Sequence, residues 1–442
     1  MRIGILGHVG NGNLGDEAII SVVIQNIRRR YPGADIRCFT SNPDDTQARH
    51  GVPAFPIRRV AKRTAIAAGW GAEQPVGRGA SRAARVRESV KASVKRWPSI
   101  AGLLRRIPAV GRAAAAASKE PGFLWQSYGN LRGVDLLIVA GSQQLIDYVA
   151  GGAWGHPYTI FKWVVMARAR RASIAFMSCG AGPIESPLGR FFIRKSLALS
   201  DFRSYRDEIS RECVEAIGAP AGDPLFPDLA YGLIVEEAAS LADGADARRV
   251  VAINPLPFVD PTYWVGGSDR NYELYIGKLA EFALWLGARG YGVLFFPTQL
   301  RADPPVIDDI RKYISKNGPA DFGRRSLIEL PIRSFADMVA ALSVADVVVA
   351  TRFHGLIMSY LLNKPALGIA YAGKTNALME QMGQGMYALD IQQLELNAMQ
   401  ERFADLEMRG AEIKKELRRR VAGQRRALEV QYVEVFRLLE PA

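Results

Sequence analysis

A chain of 442 residues, 49% hydrophobic and 23% charged, is too long for a single core and predicts two domains of ordinary size. Three cysteines, Cys38, Cys179 and Cys213, with no C-x-x-C pair and an odd total, fit a reducing, cytoplasmic setting better than a disulfide framework. The formal charge of +13 is local: between Arg58 and Lys119, fifteen Lys/Arg face only Glu73 and Glu88, an excess equal to the charge of the whole chain, unlike a uniformly basic nucleic-acid binder.

The chain opens on "RIGIL", read as a buried strand and not as a leader. "GHVGNGNLGDEAII" (7–20) follows as a glycine-rich turn into an apolar-periodic helix. That order suits a phosphate cradle, yet G-x-G-x-x-G is reached only from Gly10, which puts Asp16 where a pyrophosphate needs bare amides. No Gly-Lys-Ser/Thr follows, so a Walker loop is excluded. Asp16 and Glu17 read either as an acidic cap and first turn or as acceptors for sugar hydroxyls.

A second strand, "ADIRCFTS", precedes the basic insert at 58–122, rich in Ala, Arg, Ser and Gly. It admits two readings: a solvated insertion, or a basic amphipathic segment whose residues 58–119 lie on an anionic membrane surface. Aromatic interleaving is almost absent, so no nucleic acid is expected. No apolar run approaches the ~18 residues that span a bilayer.

Strands at 134–141, 172–183 and 202–207, with a helix at about 188–199, continue the alternation. Strands alternating with helices make a parallel sheet covered on both faces, and this is the first domain, 1–240. A polar stretch at 236–249 serves as linker. A second series follows over 241–390: strands at 250–258, 291–299, 345–353 and 365–373, with helices near 271–289, 304–316, 334–344 and 355–362. Residues 391–442 read as closing charged helices. The fold class is therefore α/β, two Rossmann-like doubly wound domains facing a cleft, with C-terminal helices.

The densest chemistry lies in "ADVVVATRFHGLIMSYLLNKPALGIAYAGKTNALMEQMG" (345–383). Arg352 and His354 stand where a buried strand gives way to a helix, Gly355 lets backbone approach closely, and the next strand delivers Lys374 to the same rim. Together they suit a phosphate or carboxylate. Read singly, Arg352 suits a core ion pair, His354 a capping histidine and Lys374 the surface. A bound dianion raises the pKa of His354 and makes it the best acid in the chain. No metal-ligand spacing and no G-x-S-x-G occurs, so neither a metal nor a serine nucleophile is expected, nor any other cofactor.

"GNLGDEAII" (12–20), "VAGSQQLID" (139–147), "CGAGPI" (179–184), "YRDEIS" (205–210), "PDLAY" (227–231) and "TRFHGLIMSYLLNKPALGIAYAGK" (351–374) resemble the polysaccharide pyruvyl transferases. The resemblance implies a GT-B-like architecture and transfer of pyruvyl from phosphoenolpyruvate to sugar hydroxyls, with a ketal formed and phosphate released. It implies His354 as general acid, with Arg352, Lys374, Gly355 and Arg206 on the donor. Asn13, Asp16, Glu17, Gly141, Ser142 and Gln143 then serve the acceptor, a sugar or lipid-linked oligosaccharide, with Asp16 also placed to take the attacking proton. The family usually has three glycines where Gly141, Ser142 and Gln143 stand, so this departure touches acceptor choice. Two rival readings remain: a nucleotide-sugar glycosyltransferase of the same architecture, and a non-catalytic scaffold for polysaccharide assembly at the membrane.

Overall fold

The structure is a computed structural model that describes residues 1–59, 120–148, 151–235, 248–264 and 266–440. The insert, apart from its edges, and most of the linker lie outside the described residues.

Five-residue runs with every residue buried, such as β4 (Leu136–Ala140), β8 (Val250–Asn254) and β12 (Ala366–Ala370), are the signature of parallel strands covered on both faces. They build two wholly parallel sheets. The first contains β1 (Arg2–Leu6), β2 (Asp35–Thr40), β3 (Ala54–Pro56), β4, β5 (Gln143–Leu145), β6 (Ser173–Ala181) and β7 (Phe202–Tyr205). Its order is β3-β2-β1-β4-β6-β5, with β7 also on β6. The second contains β8, β9 (Gly292–Phe295), β10 (Leu327–Ile328), β11 (Val347–Ala350), β12 and β13 (Ala388–Asp390), in the order β10-β9-β8-β11-β12-β13. In each lobe the order reverses beside the first strand, between β1 and β4 and between β8 and β11. Ligands of doubly wound sheets bind outside the carboxyl ends at such reversals.

Register ties the two tips of each reversal together. Ile5 pairs with Ile138 and Leu6 with Val139 in the first lobe, and Ala350 with Asn254 in the second. The loops after Leu6, Ala140, Asn254 and Ala350 therefore emerge as neighbours.

The helix Gly410–Arg437 is not an appendage of the second lobe. Its first half holds that lobe, where Arg420 Nη1 donates to Gln381 O at 2.5 Å. Its second half returns to the first lobe: Arg425 donates to Tyr231 O and Leu233 O, Gln431 bonds the Ser178 and Ser204 hydroxyls, and Glu429 pairs with Arg29 and Arg30. Among the described residues no helix is long and apolar enough to cross a membrane.

Candidate active site

The glycine loop after β1 ends on Asn13, whose side chain accepts from Gly15 N at 3.1 Å and caps the helix Leu14–Arg30. Asn13, not Asp16, is thus the cap, which frees the Asp16 carboxylate to accept from Ser142 Oγ at 2.7 Å across the sheet tip. Burial raises the Asp16 pKa, outweighing the opposing effects of His354 and Ser142. Glu17 turns the other way. One oxygen accepts from Gly10 N at 2.8 Å and the other meets His50 Nε2 at 2.8 Å, so Glu17 holds the loop and does not line the cleft.

The same loop is stitched to the second lobe. Leu14 N donates to Thr298 O and Leu300 N to Gly12 O, both at 2.8 Å, and Gln299 Nε2 donates to Asn11 O at 3.1 Å. Behind this seam stands Asp303, fully buried at the start of the helix Asp303–Asn317. One carboxylate oxygen accepts from Thr298 N (3.0 Å) and Gln299 N (2.8 Å), and the other from Arg352 Nε (3.1 Å) and Nη2. Arg352 therefore has the core ion pair that its single reading predicts, and it still reaches the cleft with its side chain 23% exposed. Burial lowers its pKa, but Asp303 outweighs that and holds it above the ordinary value. The Arg352 backbone N–H is fixed by Asn254 Oδ1 at 3.1 Å, from the tip of β8.

His354 lies in the first turn of the helix Phe353–Leu361 and packs against the opposite lobe. A Cβ placed on Gly15 would stand 2.1 Å from His354 Cγ and 2.2 Å from Nδ1. Only glycine leaves room for the ring. Its buried Nε2 stands at ion-pair distance from Asp228 Oδ2, 3.8 Å, and has no hydrogen-bond partner among the described residues; the helix has no side-chain cap, so His354 is not the capping histidine of its single reading. Burial raises the Asp228 carboxyl, but His354 and Arg206 outweigh this and hold it below the ordinary carboxylate range.

Arg206 follows β7 and is wedged between lobes. Its guanidinium lies 4.6 Å from the Phe353 ring centroid, and a Cβ on Gly180 would be 2.8 Å from its carbon. Asp207 accepts from its Nε (3.2 Å) and Asp228 from its Nη1 (3.5 Å). Lys374, in the first turn of the helix Gly373–Gln381, donates to Gln143 Oε1 at 2.6 Å and thereby spans the cleft. Burial lowers its pKa. Tyr371 beside it is pushed up by burial but pulled further down by Lys374, Arg352 and Arg206, leaving it below the ordinary phenol.

One cavity gathers Asn13, Asp16, Ser142, Gln143, Arg206, Arg352, His354 and Lys374, together with Thr298, Gln299, Phe353 and Tyr371. Three fixed cations line it against one carboxylate, and each guanidinium keeps N–H groups beyond those its carboxylate partners use. Gly355 and Gly141 lie outside this lining. Gly355 makes a close approach, but to its own sheet: a Cβ there would sit 3.1 Å from Asn254 Oδ1 and 3.2 Å from Ala350 Cβ. Gly141, at φ +45°, would meet Ile19 and Leu229. Both glycines shape the loops behind the cleft. Sequence reasoning passed over Gly15, Asp228, Thr298, Gln299, Asp303, Phe353 and Tyr371 as site residues. Asp228 sits in "PDLAY" and Tyr371 three residues before Lys374, which are usable signals; Asp303 carries none. Among the described residues no group of three or more His, Cys, Asp or Glu is arranged to hold a metal ion.

A family model described as polysaccharide pyruvyl transferase matches residues 13–373. No curated protein matches the chain. Among solved structures, the UDP-GlcNAc 2-epimerase of Neisseria meningitidis bound to UDP-GlcNAc is 12% identical at TM-score 0.54, covering 99% of each chain. The UDP-GlcNAc 2-epimerase of Methanocaldococcus jannaschii is 8% identical at TM-score 0.54, covering 91% of this chain and 92% of its own. The Anabaena protein HepE in complex with UDP-glucose is 11% identical at TM-score 0.52, covering 99% of each. At these identities the likeness is one of fold, the GT-B-like pair of facing lobes.

Proposed function

Because the chain belongs to the polysaccharide pyruvyl transferase family, we propose that it moves the pyruvyl unit of phosphoenolpyruvate onto two hydroxyls of a sugar in a polysaccharide or cell-wall glycan precursor. The product is a pyruvate ketal, and inorganic phosphate is released. The observation that carries the proposal is the cleft itself: three cations from both lobes surround a histidine whose Nε2 has no hydrogen-bond partner among the described residues and only Asp228 within ion-pair distance.

Protonation at C3 of the enol leaves positive charge at C2, where a first sugar hydroxyl adds. Loss of phosphate regenerates an oxocarbenium centre, and a second hydroxyl closes the ketal. Two O–H protons are released; one replaces the proton given to C3 and one leaves with phosphate. His354 is the donor to C3, since a phosphate dianion beside it favours the imidazolium. Arg206, Arg352 and Lys374 hold phosphate and carboxylate with charge-assisted bonds, strongest as charge gathers on the departing phosphate. Asp16 receives the proton of the attacking hydroxyl, and its raised pKa suits a base that must hold a proton. Ser142 and Gln143 stand at the acceptor side, where the family's glycines are replaced. Peripheral contact of the basic stretch 58–119 with anionic lipid is part of the proposal.

A ligand that binds only the folded state raises the melting temperature with its concentration over Kd. Phosphoenolpyruvate should stabilise the protein and UDP-, GDP- and CMP-sugars should not. Stabilisation by a nucleotide sugar alone would replace this reading with a glycosyltransferase.

A further inference from the structure

On the outside of the first lobe, two neighbouring helices carry a strip of half-bare aromatic rings that the reaction above does not use. The helix His156–Ala169 presents Tyr158 and Phe161, three residues apart and so on one face. Trp154, in the turn just before it, extends that face, its ring centroid 5.1 Å from that of Tyr158. The helix Pro187–Ala198 adds Leu188, Phe191 and Phe192. Phe192 is buried at the centre, with its ring centroid 5.7 Å from Trp154, 5.5 Å from Tyr158, 5.1 Å from Phe161 and 5.8 Å from Phe191. Around it Trp154 stays 64% exposed, Phe191 40% and Leu188 37%. The strip thus has a packed floor and an uncovered top, and contiguous exposed apolar surface of this kind marks an interaction site.

Charge decides what can cover it. The two helices hold five cations, Lys162, Arg168, Arg190, Arg194 and Lys195, and no Asp or Glu. Glu120 pairs with Lys162 and Asp201 with Arg168, while Arg190, Arg194 and Lys195 stand exposed around Phe191. Both edges of the stretch 58–119 are fastened to the same helix: Arg58 Nε donates to Thr159 Oγ1 at 2.8 Å and Lys162 Nζ to Glu120 Oε1 at 2.9 Å. That stretch carries fifteen Lys/Arg against two Glu, so like charge opposes its lying over the strip. The same repulsion opposes a second copy, which would bring three exposed cations against their own counterparts. The cover must be anionic. Rings that sit at headgroup depth, flanked by Arg and Lys that meet lipid phosphates, are the composition of an interfacial surface. We infer that this strip docks the first lobe on an anionic bilayer, with Trp154, Leu188 and Phe191 entering the headgroup layer and Arg190, Arg194 and Lys195 on its phosphates. A bilayer is favoured over an acidic protein because rings this exposed stand proud of the helices instead of lining a groove. The single-sign charge also continues through the whole of 58–119, which suits an extended anionic surface. The inference goes beyond the charge of that stretch, since it assigns binding to side chains of the folded lobe, and it does not rest on the proposed pyruvyl transfer.

The test follows the full chain onto vesicles of equal parts phosphatidylglycerol and phosphatidylcholine, by flotation at low salt. The double variant Trp154→Ser, Phe191→Ser should bind about tenfold more weakly or worse, the loss expected when a ring's burial is removed. Arg194→Gln with Lys195→Gln should also weaken binding while thermal unfolding stays unchanged. With the unsubstituted protein, bromine-labelled phosphatidylcholine should quench tryptophan emission, and Trp154→Phe, which keeps a ring in place, should remove part of that quenching. This second readout does not need the double variant to fold. Unchanged vesicle affinity in a double variant that melts like the parent, or quenching that Trp154→Phe does not reduce, would overturn the inference. So would polyglutamate or an oligonucleotide bound as tightly as the vesicles and lost in the double variant, since the occupant would then be a soluble acidic macromolecule. A dimer in sedimentation that the double variant dissolves would make it a second copy, and overturn it likewise. Stabilisation by phosphoenolpyruvate is measured alongside: its absence would end the donor reading and leave the docking face standing, whereas its presence with no effect of the rings on vesicle affinity would do the reverse.

Discussion

Replacing Gly15 with alanine separates the chemistry of the cleft from the stability of the fold. Gly15 lies in the first turn of its helix, where alanine is the better former by about 1 kcal/mol at interior positions, so local propensity favours the variant. The opposing effect is one contact between lobes. The new Cβ would be 2.1 Å from His354 Cγ, whereas real Cβ contacts are essentially never below 3.0 Å. The ring, or the lobe that bears it, must therefore retreat by about 1 Å, and a misplacement of that size can lower turnover about 100-fold. Radiolabelled phosphoenolpyruvate and a glycan-precursor extract as acceptor would report transfer, and thermal unfolding would report the fold. Transfer should fall by about two orders of magnitude while phosphoenolpyruvate still binds, because Arg352 is anchored independently by Asp303. Unchanged turnover in a folded Gly15→Ala protein would show that the placement of His354 against Gly15 has no part in the reaction.

Asp303→Asn removes the charge that fixes both Arg352 and the 298–300 seam. Donor affinity measured by calorimetry should fall by about tenfold or more, in line with 1.5–3 kcal/mol for hydrogen bonds to charged groups, and an unchanged Kd would refute the anchoring role. His156 is held neutral, its pKa pushed down to about 3 by burial and by Arg58. The unfolded chain binds the extra proton below about pH 6.5, so stability should decline as pH drops from there toward 3, by on the order of 1 kcal/mol per unit. His156→Gln should flatten that limb of the melting-temperature profile, and identical profiles would contradict it. Anionic vesicles should retain the full chain at low salt and release it as ionic strength approaches 1 M, where the Debye length is about 3 Å; equal binding to neutral vesicles would exclude the electrostatic contact.

The parallel architecture was legible because its central strands are continuous apolar runs: "LLIVA" and "VVVA" can only be buried on both faces, and each ends at a loop. Strands β3, β5, β10 and β13, two or three residues each, were not. Such short edge pairings are set by what the neighbouring strand offers and leave no periodicity. Arg352, His354 and Lys374 could be found because polar residues at consecutive strand tips stand out. Asp303 could not, since an acid at the start of a helix is ordinary and its pairing with Arg352 spans 49 residues. Glu17 misled for the converse reason: spacing places it beside Asp16, but successive residues on a helix face different ways, and His50 lay on its side. The return of the last helix to the first lobe depends on Gln431 meeting Ser178 and Ser204, a long-range contact without a local signal.

The central claim is that Arg352, Lys374 and Arg206 grip one phosphorylated enol with His354 beside its methylene carbon. The most direct test is a crystal of the protein soaked with phosphoenolpyruvate. Density for the phosphate against these three cations, with C3 within reach of His354 Nε2, is the predicted result. An enol phosphate bound elsewhere, or one whose C3 faces away from the imidazole, would contradict the account.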